Sequence, residues 1–204
     1  MFNSQSYATP ALESNRTIAN RITGIVNTNI GYNGYCPVSV VQGRKWIRGS
    51  SAYASTYDNT TYYFPSESEK AVFEQSPEKF VPALGGDCIV SFAEGGQRAP
   101  GSIHHSAVHD NRIYLFPNDE QKKKFVDNVA QYLNADLAAN GYCTVCLVNA
   151  NQMTKGNSEY LAIHNGMLYL FPSDSERQTF LNSPTLFTSA AIPASATVFD
   201  FSAR

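Results

Sequence analysis

The chain has 204 residues, 43% of them hydrophobic and 16% charged, with a formal net charge of −2 and an isoelectric point near 6.1. This is enough apolar material for a packed core, and it excludes the basic stripe with which nucleic-acid binders meet phosphates; the one basic run, Lys122-Lys123-Lys124, follows Asp119 and Glu120 on a predicted helix and reads as its solvated face. No run approaches the length of a membrane span and residues 1–30 lack the basic-then-apolar order of a signal peptide, so the chain is expected to be soluble, either cytoplasmic or exported with its leader absent from this chain.

Residues 1–31 form an N-terminal extension. Thr9 offers an N-cap with Pro10 at the first helical position, and Leu12, Ile18, Ile22, Ile25 and Val26 fall largely on one face, which predicts a helix over 10–26. Asn27 to Asn33 is rich in turn residues.

From residue 32 the chain writes one pattern three times, over 32–84, 85–138 and 139–187. With Cys36, Cys88 and Cys143 as origins, equal offsets reach Gly49, Gly101 and Gly156, then Tyr62, Tyr114 and Tyr169, then Phe64, Phe116 and Phe171. Phe73, Phe125 and Phe180 close the match. Units of about 52 residues bury little surface alone, so the three are expected to pack into one body.

Within each copy the apolar positions first alternate, as in Cys36, Val38 and Val40 or Cys143, Val145 and Leu147, which predicts an opening half-buried strand. The shared glycine then marks a backbone that needs positive φ or close approach. Asp58-Asn59, Asp110-Asn111 and Asn165-Gly166 are hairpin-turn pairs between two short aromatic strands. Ser66 with Glu69, Asn118 with Gln121 and Ser173 with Glu176 have capping-box spacing and predict a helix after each hairpin. Pro77 and Pro184 end the first and third of these helices, whereas Val129 at the same place in the second predicts continuation to Leu137. A C-terminal tail, 188–204, carries Thr197 to Phe201, read as a last strand.

Tyr-x-Phe before a short helix, followed by Pro77-Glu78-Lys79-Phe80, Pro82 and Gly85-Gly86-Asp87-Cys88, resembles the YHS domain family, a small β-hairpin and helix module related to the treble-clef-like TRASH domains. The resemblance covers residues 34 to about 187 as three tandem copies, and it implies an α+β fold of three YHS-like β-hairpin-plus-helix repeats, on which the helix read over 10–26 is expected to dock. Tyr57, His109 and His164 fall where the family often has its histidine. Metal-binding relatives have a second cysteine pair beginning just after the aromatic strand, where this chain has Pro65, Pro117 and Pro172 followed by polar residues. The resemblance therefore carries the fold and not a complete metal site.

The residues with the most chemistry are Cys143, Cys146 and His164, because two thiolates and an imidazole suit three positions of a tetrahedral zinc or copper site. Against this, a strand would point residues three apart to opposite faces, and Ser39 and Ser91 stand where Cys146 does. A redox-active or structural bridge between the two cysteines is a further reading. Cys36 and Cys88 read as small buried hydrophobes. His104, His105 and His109 form a histidine patch in which His105 and His109 share a face if their strand is regular, a surface copper or zinc candidate set against the favoured reading as scattered surface histidines. Neither a Gly-x-Ser-x-Gly elbow nor a His-Glu-x-x-His helix occurs. The sequence thus reads as a non-catalytic binding or structural module without a cofactor, its partner an unidentified protein or small ligand. The alternative is a zinc- or copper-handling protein using Cys143, Cys146 and a histidine. A thiol enzyme is a third reading.

Overall fold

A computed structural model describes residues 29–189; the expected helix over 10–26 and the strand at Thr197 to Phe201 lie outside these residues. The protein is α+β. A short strand β1 (Asn29–Ile30) precedes α1 (Pro37–Gly43), the hairpin β2 (Ser50–Tyr57) and β3 (Thr60–Phe64), and α2 (Glu67–Gln75). The same succession returns as α3 (Ile89–Gly95), β4 (Ser102–His109), β5 (Arg112–Phe116) and α4 (Asp119–Asp127), the last followed by a one-turn α5 (Val129–Tyr132). It appears again as α6 (Thr144–Ala150), β6 (Asn157–His164), β7 (Met167–Phe171) and α7 (Asp174–Asn182). The hairpins form separate small sheets, with β1 adding a parallel strand beside β3 in the first.

The opening element is a helix in all three segments, not the strand that the alternation predicts. Each shared cysteine is an extended N-cap residue, and its Sγ accepts a hydrogen bond from the backbone N–H three residues on: Ser39 to Cys36 at 3.4 Å, Ser91 to Cys88 at 3.5 Å and Cys146 to Cys143 at 3.1 Å. Seven residues are too few for a period of two to be told from a period of 3.6 when most positions are apolar. Val38, Val40 and Val41 are all buried because this short helix is covered on several sides.

The shared glycines serve close approach. A Cβ at Gly49, Gly101 or Gly156 would stand 2.3, 2.5 or 2.4 Å from the second hairpin strand at Tyr63, Leu115 or Leu170. Their N–H groups each donate, over 2.9 Å, to the carbonyls of Gly34, Gly86 and Gly141, which end short left-handed runs before the cysteines. The hairpin turns Asp58-Asn59, Asp110-Asn111 and Asn165-Gly166 have positive φ at both central residues, the type I′ geometry their residues favour. In β2, β4 and β6 the ladder slips at a bulge, held by Ser50, Ser102 and Asn157 side chains accepting from Ala52, His104 and Glu159.

Helices α2, α4 and α7 begin at Ser66, Asn118 and Ser173. The serine hydroxyls accept from the second helical N–H, at Ser68 and Ser175, and Asn118 Oδ1 accepts from the third, at Gln121. Ser66 and Ser173 also donate to the carboxylates of Glu69 and Glu176. The second helix does not run on to Leu137. It breaks at Asn128 (φ −140°, ψ 52°), the backbone that Ser76 and Ser183 adopt before their prolines. The break folds a second aromatic back over the helix: Phe80 lies 6.2 Å from Phe73, Tyr132 6.4 Å from Phe125 and Phe187 6.3 Å from Phe180, all buried.

The segments interlock. The core around Tyr32, Val38, Tyr62 and Phe73 takes in Ile113 and Leu115 from the second segment and Ile163 from the third. Met167 packs against both the second and third cores.

Candidate functional site

Cys143 and Cys146 are brought together by the turn that opens α6. The residue before a helix is extended and the residue three on is helical, so on this backbone positions i and i+3 share a side. The strand-based separation expected from the sequence therefore does not hold. Cys143 is fully buried and Cys146 half-buried, and all four cysteines are free thiols. Burial, then the hydrogen bond and charge of Cys146, push the Cys143 thiol up to about 12 against two backbone N–H groups pulling the other way. Such a thiol is a poor nucleophile and a poor metal ligand at neutral pH.

His164 ends β6, with its ring edge-on to Phe180 at 6.1 Å. Among the described residues, no three His, Cys, Asp or Glu side chains come together as a metal-holding group. Cys143, Cys146 and His164 therefore belong to the same segment without forming a three-ligand set. The bulge in β4 also separates the roles of His105 and His109. His105 Nδ1 lies 2.8 Å from Asp119 at the start of α4, and His109 Nε2 lies 3.3 Å from Asp110.

A different site arises where the segments meet. A cleft of about 540 Å³ has an apolar floor of Val41, Phe80, Ile163 and Leu168, with Arg44, Lys79, Glu78, Asp110 and Arg112 around it. Each segment contributes, so the cleft exists only in the assembled chain. Its size is that of an ordinary small-molecule pocket, which spans roughly 300–1,000 Å³. Arg44 Nη2 donates to Asn111 Oδ1 at 3.2 Å and so ties α1 to the second hairpin turn at the cleft's edge.

Behind the cleft, Arg112 Nη1 donates to Asp136 Oδ1 at 3.1 Å while its Nη2 pairs with Oδ2. Asp136 is wholly buried, and it also accepts from the Leu84 N–H at 3.3 Å. Burial alone would lower the Arg112 pKa, but the charge and hydrogen bonds of Asp136 carry it above its ordinary value. The third hairpin is held by Asp58, whose two carboxylate oxygens accept from the N–H groups of Asn165 and Gly166, each at 2.8 Å. Arg98 Nη2 donates to the Asn165 carbonyl at 2.7 Å.

Sequence reasoning missed Arg112, Asp136 and the second role of Asp58. Asp136 had one available signal, a lone acid within the otherwise uncharged Leu133–Ala139 stretch where the second copy gives way to the third. Asp58 was absorbed by its turn, and its bond across 107 residues leaves no local trace.

No family model matches this chain, and no solved structure matches it. The chain is similar to adenylate kinase 9 of Mus musculus, with 24% identity over 144 residues, covering 52% of this chain. It spans only 8% of that protein's length, and so small a share transfers no activity.

Proposed function

We propose that the chain is a non-catalytic binding module of three YHS-like segments, with the cleft between them as its ligand site. The observation that carries this reading is the lining of that cleft: an apolar floor with cationic and anionic side chains above it, drawn from all three segments. Such a surface suits a small ligand with an apolar body and a charged group, held by burial and oriented at the rim.

The test is a fragment screen by protein-observed NMR on the full chain, using small aryl and alkyl carboxylates and amines. Binding that shifts the amides of Val41, Phe80 and Ile163, and weakens at least fivefold in Lys79→Ala, supports the reading. Saturable shifts elsewhere with none in the cleft, or no binding in the whole set, overturn it.

A further inference from the structure

We propose that Cys143 and Cys146 form a reversible disulfide by exchange with low-molecular-weight disulfides, making the start of α6 a thiol-modification site distinct from the cleft. The inference rests on comparing three versions of one turn within the same chain. At each, a buried cysteine caps the helix through its sulfur, and that role is complete without a side chain at the third helical position. The first and second segments place Ser39 and Ser91 there. The third places a half-buried thiol there, on the residue whose backbone N–H bonds the capping sulfur.

The geometry favours closure. Cys143 Sγ already stands 3.1 Å from the Cys146 nitrogen, nearer than the 3.4 and 3.5 Å of the other two turns. The Cβ of Cys146 is two bonds from that nitrogen, so rotation about its χ1 swings the second sulfur toward the first. The extended backbone of Cys143 (φ −67°, ψ 110°) leads directly into the helical turn that carries Cys146, so both side chains leave the same side of that turn.

Access divides the work between the two thiols. Cys146 is the one open to solvent, so its thiolate attacks one sulfur of the small disulfide, forming a mixed disulfide and expelling one thiolate that takes up a proton. Cys143 then loses its proton and attacks the Cys146 sulfur, expelling the second small thiol. One S–S bond is broken and one formed; the two protein thiols give up two electrons and two protons, and the two small thiols receive them. The buried Cys143 gains reactivity in this second step from proximity, which compensates for its raised pKa.

The test equilibrates the full chain with excess oxidised glutathione at neutral pH, followed by acid quench, alkylation under denaturing conditions, intact mass and peptide mapping. The expected result is a species lighter by two hydrogens, bridged between residues 143 and 146, with Cys36 and Cys88 alkylated, and reverting on addition of reduced dithiothreitol. Cys143→Ser is expected to hold one glutathionyl group on Cys146. Cys146→Ser, which restores the residue of the sibling turns, is expected to keep its circular dichroism spectrum and every thiol. Four alkylated cysteines in the wild type at equilibrium, or thiol loss at the same rate in Cys146→Ser, would overturn the proposal.

Discussion

Among the described glycines, Gly166 alone combines a positive φ with backbone neighbours closer than 3 Å to an added Cβ. Its φ is +76°, and an added Cβ would meet the Leu84 carbonyl carbon at 2.6 Å and the Gly85 nitrogen at 2.7 Å. Those neighbours are backbone atoms of another segment, so no side chain can move aside. The left-handed conformation alone costs an alanine roughly 1–2 kcal/mol, and the overlap adds to it. We expect Gly166→Ala to destabilise by more than about 2 kcal/mol in chemical denaturation. Asn111 holds the equivalent place with positive φ while already carrying a Cβ, and Asn111→Gly relieves that φ while losing one exposed hydrogen bond from Arg44, so the substitution is expected to change stability by less than about 1 kcal/mol. The contrast separates the demand of the turn from the demand of packing. A midpoint for Gly166→Ala within error of the wild type would show that the two segments do not meet there.

At the scale of elements, the hairpins and their following helices were legible because their signals are local. Turn pairs with positive φ and capping residues at fixed spacing act within four residues of themselves. The opening helices were misread because apolar residues at Cys36, Val38 and Val40 fit two periods at once, and only the covered position of α1 decides between them. The cysteine cap hid there too, since sulfur is a weak acceptor and is uncommon at that position. The break at Asn128 is illegible for another reason: the proline that signals the end of the other two helices is absent from the second. The same backbone occurs without one, so the aromatic return that seats Tyr132 on Phe125 accounts for it, and proline stiffens a shape that packing already selects. Val129→Pro tests this. Pro77 and Pro184 occupy the equivalent places, and no backbone bond from the Val129 N–H is lost. The variant is expected to fold with stability unchanged or raised by up to about 1 kcal/mol, measured by urea unfolding. A loss of more than about 2 kcal/mol would mean the second segment closes differently from its siblings.

For the molecule as a whole, the contacts that matter join segments far apart in sequence, which is why the cleft and its supports could not be read from local pattern. Asp136 links the stretch before the third segment to Arg112 in the second hairpin and to the Leu84 N–H ahead of the second cysteine. Its own carbonyl accepts from Leu168 in β7 at 2.9 Å. Ile163 leaves the third segment to complete the first core, and Asp58 reaches from the first hairpin to cap the third turn. A third segment cut free at residue 138 keeps the cluster around Phe180 but loses all of these at once. It would expose Ile163 and Leu168, leave the Asn165 and Gly166 N–H groups to water, and still bear the full entropy of ordering a chain near the lower size limit of autonomous domains. Residues 138–204 alone are therefore expected to give a collapsed amide spectrum and no cooperative melt, while the full chain melts in one transition. A dispersed spectrum from the fragment would make the segments independent domains. The cleft would then be a contact between separately folded bodies, and its ligand site would have to be sought within one of them.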